Sequence, residues 1–241
     1  SIEPMASRIP GADVQALRQF VGQSPWDGGE VQRRLAVQIV DMLSDPEVWI
    51  VDETSFPKAG THSVGVARQY CGALGKVANC QVAVSLHWGS VEASCPLGWR
   101  LYLPEGWLED PERATEVKLP PGLSYRSKTQ LALELIDEAL GWDVPPLPVV
   151  ADSAYGNEFG FREELRNRDL PYAVRVEPTT VVWTEDPDVP LPEPKPRGRP
   201  RKHPPLDSLP PVRDLPTVAR EVPASAWHRV CWRQGTQGSQ V

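Results

Sequence analysis

The chain has 241 residues, of which 40% are hydrophobic and 24% are charged, and its net charge is −7. This composition is typical of a globular protein with a buried core, and it excludes a disordered chain and one with long apolar membrane spans. The negative charge alone argues against a polyanionic partner. Four cysteines are too few for a disulfide scaffold and favour the cytoplasm.

Residues 1–46 are predicted to be a helical segment. Apolar side chains recur at helical spacing in two stretches, of which the first ends near Ser24. Asp27 is a typical N-cap residue for the second helix, and Pro46 ends it.

Residues 47–176 are predicted to alternate between strands and helices. Apolar runs predict strands, and a 3.6-residue period predicts helices. The strands are predicted over residues 47–52, 80–88, 99–103, 147–152 and 172–176, and the helices over residues 128–140 and 157–169. The order β-β-β-α-β-α-β is that of the ribonuclease-H-like fold, so we predict an α/β protein with a mixed sheet.

Residues 177–241 differ in composition from the rest of the chain. Of the 27 prolines, 13 lie between Pro178 and Pro223. Such a segment cannot supply central strands, and we predict an extended, exposed insertion. A last strand is predicted over residues 227–233.

Two aspartates directly follow apolar strands. Asp52 and Asp152 each come after four apolar residues. Ligands of open α/β sheets bind at the carboxyl ends of strands, so both acids are expected in one site. Paired carboxylates suit Mg²⁺ or Mn²⁺, although a single aspartate after a strand is more often just a turn residue.

Four segments carry a family resemblance. They are WIVDETSFPK (49–58), HSVGVARQYCG (62–72), NCQVAVS (79–85) and VVADSAYG (149–156). Together they closely resemble the catalytic core of bacterial insertion-sequence transposases of the DDE class. The resemblance implies a ribonuclease-H-like domain that binds Mg²⁺ or Mn²⁺ and cuts and joins DNA at transposon ends.

The resemblance also implies residue roles and partners. It makes Asp52 the first catalytic acid and Asp152 the second. The partners it implies are transposon-end DNA, target DNA and a second subunit that pairs the ends, with no membrane. It places the protein in the bacterial cytoplasm, associated with the nucleoid.

One family feature is missing from the sequence. The third acid of the family is a glutamate on a helix beyond a β-rich insertion, and no matching motif occurs before Val241. Glu53 follows Asp52 directly and is therefore expected on the opposite sheet face. We expect a transposase fragment, truncated at both ends and lacking one metal ligand, whose enzymatic activity stays open.

Two alternatives follow from this expectation. One is a non-catalytic DNA-binding remnant that regulates transposition, and the other is a ribonuclease-H-like nuclease completed by an unidentified acid.

The best candidate for direct DNA contact is a short basic segment. Residues 195–202 contain five cations and no acid, which leaves −12 for the rest of the chain. Its core resembles an AT-hook, in which arginines enter the minor groove of A·T tracts. The alternative is a solvated charged linker. The candidate DNA-binding residues are Arg197, Gly198, Arg199, Arg201 and Lys202, together with Lys58 and Arg68 of the family-like block.

Overall fold

The structure is a computed structural model that describes residues 2–43, 45–90, 93–184, 211–227, 233–235 and 238–240. Its helices are α1 (Ile2–Ala6), α2 (Val14–Gly22), α3 (Gly28–Met42), α4 (Glu105–Leu108), α5 (Pro111–Glu116), α6 (Lys128–Gly141), α7 (Ser153–Gly156), α8 (Phe159–Asn167) and α9 (Leu215–Glu221). Its strands are β1 (Val48–Pro57), β2 (Ala67–Cys71), β3 (Lys76–Gly89), β4 (Ser94–Leu101), β5 (Val149–Ala151), β6 (Tyr172–Val174), β7 (Val181–Val182), β8 (Arg213–Asp214), β9 (Arg233–Gly235) and β10 (Gly238–Gln240).

The centre of the molecule is a six-stranded mixed sheet. Its order is β2-β3-β1-β5-β6, and β4 also pairs with β3. β3 is antiparallel to β1, β2 and β4, whereas β5 is parallel to β1 and β6. Apart from β2, the order β4-β3-β1-β5-β6 is the ribonuclease-H-like arrangement. The predicted α/β fold with a mixed sheet is confirmed.

The two faces of the sheet differ in their surroundings. On one face, Trp49 and Val51 are buried with side chains of β3 and β4 against α3, α6 and α8. On the opposite face, among the described residues, Asp52 is exposed, Ile50 and His87 are half-buried and Trp99 is 39% exposed. The polar face of the sheet is therefore open to solvent next to Asp52.

Local sequence explains where the two long helices begin. The Asp27 carboxylate accepts hydrogen bonds from the backbone of Gly29 and Glu30, which confirms its predicted role as the N-cap of α3. Ser127 and Gln130 form a capping box at the start of α6. Five of the residues of α6 are buried on its core-facing side.

Several predicted boundaries were wrong. β1 does not stop at Asp52 but runs on to Pro57, because the polar residues 52–57 stay paired with residues 80–85 of β3. The sequence analysis missed β2, α4 and α5, and it started β4 five residues late. The helix predicted over residues 157–169 is α8 (Phe159–Asn167), and the sequence analysis missed the short helix α7 just before it.

Only part of the Pro-rich region is described. There β7 pairs with β8, and α9 follows directly. The basic segment, residues 195–202, lies outside the described residues, as does most of the strand predicted over residues 227–233. The predicted boundaries at residues 46 and 176 stay predictions. Within the described part of the chain, no helix is long and apolar enough to span a bilayer.

Candidate functional site

The two predicted acids lie next to each other on adjacent strands. β1 and β5 are paired in parallel up to Val51 and Ala151, so Asp52 and Asp152 are the next residues on the two chains. Neighbouring strands are about 4.8 Å apart. Both residues have extended backbones, lie on the same sheet face by alternation, and are exposed. The arrangement places two accessible carboxylates one strand spacing apart.

Asp152 is fixed by the short helix that it begins. Its carboxylate accepts a hydrogen bond from the backbone of Ala154 at 2.9 Å, and its carbonyl oxygen accepts one from Gly156 at 2.8 Å. Gly156 packs directly against the backbone of Arg175, so closely that an added Cβ would lie 1.8 Å from that carbonyl oxygen. These contacts hold the acid at the end of β5.

Asp52 is joined to a polar row on β3. Its carboxylate accepts from the backbone N–H of Glu53 at 2.7 Å, and its carbonyl oxygen accepts from the hydroxyl of Ser85 at 3.2 Å. Ser85 is 1% exposed and lies 3.1 Å from Nε2 of His87. Burial lowers the pKa of His87, and the nearby Asp52 carboxylate opposes that shift. His87 is therefore neutral at pH 7 and does not cancel the charge of Asp52.

Glu53 lies on the opposite face, as predicted from strand alternation. Its carboxylate forms an ion pair with Lys128, with Nζ and Oε2 2.5 Å apart. Lys128 is the first residue of α6, and its Nζ also lies 5.6 Å from the ring centre of Tyr102. Glu53 thus has a cationic partner of its own.

Tyr155 approaches the acids from the buried side. The residue is 1% exposed, its ring packs on Phe161, and its hydroxyl makes no hydrogen bond with any residue that the structure describes. Burial raises its pKa well above the usual range, and the carboxylates of Glu53, Asp152 and Asp52 raise it further. The phenol is therefore neutral at pH 7.

These groups fit a divalent cation. Two adjacent exposed carboxylates supply the hard oxygen ligands that Mg²⁺ and Mn²⁺ prefer. Within the described residues, no group of three His, Cys, Asp or Glu side chains converges on a common point. In the part of the chain that is described, the candidate metal site thus consists of the two carboxylates of Asp52 and Asp152.

The two basic residues of the family-like block lie away from the acids. Arg68 of β2 lies opposite Asn79 of β3 in the strand register. The backbone N–H of Lys58 donates to the carbonyl oxygen of Asn79, and the side-chain amide of Asn79 donates to the carbonyl oxygen of Lys58. Asn79 is six residues along β3 from Ser85, or about 20 Å at the rise of an extended strand. The structure does not bring Lys58 and Arg68 next to the acid pair, and their contact with DNA stays a prediction.

Arg68 lines a groove of mixed charge. The groove has a volume of about 730 Å³, and the guanidinium of Arg113 lies 3.5 Å from the ring centre of Trp107 in its wall. Its acidic lining residues are Asp110, Glu112 and Glu116. With three carboxylates around two guanidinium groups, this groove does not favour a polyanion.

Sequence reasoning missed four polar residues around the acids. They are Ser85, His87, Lys128 and Tyr155. Strand alternation predicts that His87 and Ser85 share one face, since they are two residues apart. No pattern in the sequence pairs Lys128 with Glu53, 75 residues away.

The chain was compared with known proteins. It matches the family described as DDE superfamily endonuclease over residues 1–239. A curated relative is described as the probable transposase for insertion sequence element IS701 from Microchaete diplosiphon; it is 31% identical over 176 residues, which are 72% of this chain and 43% of the relative. The chain thus spans less than half of that relative's length.

Among solved structures, the chain is similar to the Mos1 transposase paired-end complex with left transposon end. The identity is 13% and the TM-score 0.27, over 71% of this chain and 53% of that one.

Proposed function

Because the chain belongs to the DDE superfamily of endonucleases, we propose that it is the transposase of an insertion sequence, which cuts and joins DNA at the ends of that element. The observation that carries this proposal is the register of β1 and β5, which aligns Asp52 with Asp152 on an open sheet face. The similarity to a probable transposase for an insertion sequence supports the same reaction.

In the proposed reaction, Asp52 and Asp152 hold one or two Mg²⁺ or Mn²⁺ ions. A divalent ion bound there supplies a Lewis acid that polarises a phosphoryl oxygen and favours deprotonation of the attacking group. The chain itself holds the two carboxylates at a fixed spacing and leaves their face open to a DNA phosphate. Hydrolysis of a phosphodiester frees a 3′-hydroxyl at the transposon end. This hydroxyl then attacks a phosphodiester of target DNA, and the new bond replaces the bond to the 3′-oxygen of the target strand, which leaves as a hydroxyl.

We propose that a third metal ligand completes the site, although no described residue near Asp52 and Asp152 supplies it. Glu53 does not serve as this ligand, because it lies on the opposite sheet face and its charge is balanced by Lys128. Mg²⁺ often binds one or two carboxylates together with substrate phosphates and water, so the pair can hold a metal before a third acid arrives. We also propose that two subunits pair the two transposon ends.

A nicking assay tests this function. The full chain is incubated with a supercoiled plasmid carrying the DNA that flanks its gene, with Mg²⁺ or Mn²⁺. We expect metal-dependent nicking that falls by at least about 100-fold in Asp52→Asn and in Asp152→Asn, since a metal site supplies several kcal/mol of transition-state stabilisation. Glu163→Gln removes an exposed acid of α8 and is the matched control, with unchanged nicking.

The outcomes separate the proposal from its alternative. Nicking that survives in Asp52→Asn contradicts the assignment of the acids. Binding of the same DNA without nicking under any metal condition supports a non-catalytic regulator of transposition instead.

A further inference from the structure

Lys128 forms an ion pair from a position in its helix that is unfavourable for a cation. It is the first residue of α6, and a cation at a helix N-terminus is disfavoured by the helix dipole. Its Nζ lies 2.5 Å from Glu53 of β1, and the two side chains are only 30% and 23% exposed. The contact joins the N-terminus of α6 to the residue that follows Asp52.

Glu53 is a third carboxylate beside the acid pair, because it is the residue after Asp52 on β1. A free carboxylate at that position would add a negative charge close to the site. The ion pair with Lys128 cancels this charge and keeps Glu53 on the helix-covered face.

We propose that Lys128 and Glu53 are positioning residues for the metal site. Lys128 neutralises Glu53 and holds it on the helix-covered face, so that only Asp52 and Asp152 present charge to the metal. This inference rests on the proposed function, because it takes Asp52 and Asp152 to be the metal ligands.

The proposal predicts opposite effects of the two partners on cation binding. Lys128→Met removes a positive charge near the site and releases Glu53, so Mn²⁺ should bind more tightly. Glu53→Gln removes a negative charge and leaves Lys128 unpaired, so Mn²⁺ should bind more weakly. A unit charge about 10 Å from a divalent ion changes its affinity by about 4-fold at the dielectric constant of water, and by more at the lower effective dielectric of a protein surface. The double variant should return close to the wild-type affinity.

The experiment measures Mn²⁺ affinity of the full chain by calorimetry, with thermal unfolding of each variant as the check on folding. Lys128→Arg keeps the charge and should keep the affinity. Arg126→Met is the matched control, since Arg126 pairs with Glu134 at the same end of α6 but is 47% exposed.

The outcomes distinguish this inference from the proposed function. If Asp52→Asn and Asp152→Asn bind Mn²⁺ as the wild type does, or if the wild type binds none, the metal site and the positioning role both fail. If the two aspartate variants lose Mn²⁺ but Lys128→Met and Glu53→Gln shift the affinity in the same direction or not at all, the ion pair is only structural and the inference is overturned.

Discussion

Gly156 determines where Asp152 lies. It ends the short helix α7 that Asp152 begins, and its backbone N–H donates to the carbonyl oxygen of Asp152. A Cβ at this position would overlap the carbonyl oxygen of Arg175 and approach the side chain of Val174 at 3.2 Å. Only a residue without a side chain lets α7 pack this closely against the end of β6.

Gly156→Ala should therefore destabilise the fold. We expect the free energy of unfolding, measured with urea, to fall by about 2–4 kcal/mol because the backbone of Arg175 has to move. Gly160→Ala on α8 is the control, since no atom lies within 4 Å of its Cβ position. That variant should be neutral or stabilising by up to about 1 kcal/mol. Equal effects of both substitutions would contradict the packing described for Gly156.

The sequence predicts some of these residues and not others. Asp52 and Asp152 follow apolar strands, and the strand order predicts that the two strands are neighbours; the structure confirms their alignment. Tyr155 and Lys128 come near the acids only through the packing of α7 and α6, and a local pattern does not reveal such contacts. The ion pair of Lys128 even opposes the usual preference for acids at a helix start.

At the level of elements, the start of α6 contains both a stabilising N-cap, Ser127, and the proposed positioning residue, Lys128. The Ser127 hydroxyl accepts a hydrogen bond from the backbone N–H of Gln130. The side-chain oxygen of Gln130 in turn accepts one from the backbone N–H of Ser127. Lys128 is the next residue, so the cap fixes the place from which it reaches Glu53. The α3 cap at Asp27 has the same local chemistry at a helix that does not reach the acids.

Ser127→Ala and Asp27→Ala separate these two roles. Each should lower the free energy of unfolding by about 1 kcal/mol, the usual value of an N-cap, in a urea titration. Only Ser127→Ala should also change Mn²⁺ affinity, because it loosens Lys128. A change in Mn²⁺ affinity in Asp27→Ala would mean that general loss of stability, rather than the position of Lys128, controls the metal site.

Element boundaries were harder to predict than element types. The polar sequence after Val51 predicts the end of a strand, yet β1 continues for six more residues because β3 supplies its hydrogen bonds there. β2 was missed because Arg68 and Gln69 interrupt any apolar pattern in a strand that is exposed on one side. Pairing between distant strands decided these boundaries, and a single sequence carries little information about it.

At the scale of the whole molecule, the charge is unevenly distributed. The five cations of residues 195–202 oppose a chain that is otherwise strongly acidic. This segment lies outside the described residues, so its role in binding DNA stays a prediction from the sequence.

Salt dependence of DNA binding tests that role. In the triple variant Arg197→Ala, Arg199→Ala and Arg201→Ala, the slope of log affinity against log salt should decrease by about 3, as expected for the loss of three phosphate contacts. Arg33→Ala, at a residue paired with Glu30 on α3, is the control and should leave the slope unchanged. An unchanged slope in the triple variant would identify the segment as a solvated linker.

The central claim is that Asp52 and Asp152 together hold a divalent metal, and affinity cleavage by Fe²⁺ tests it most directly. With hydrogen peroxide and ascorbate added, Fe²⁺ bound in a Mg²⁺ site reduces the peroxide to hydroxyl radicals that cut the nearby backbone, so the full chain should be cut close to residues 52 and 152. Excess Mg²⁺ should suppress both cuts, and Asp52→Asn should abolish both, because the two acids share one site. Cleavage elsewhere, or cuts at these positions that persist in Asp52→Asn, would contradict the account.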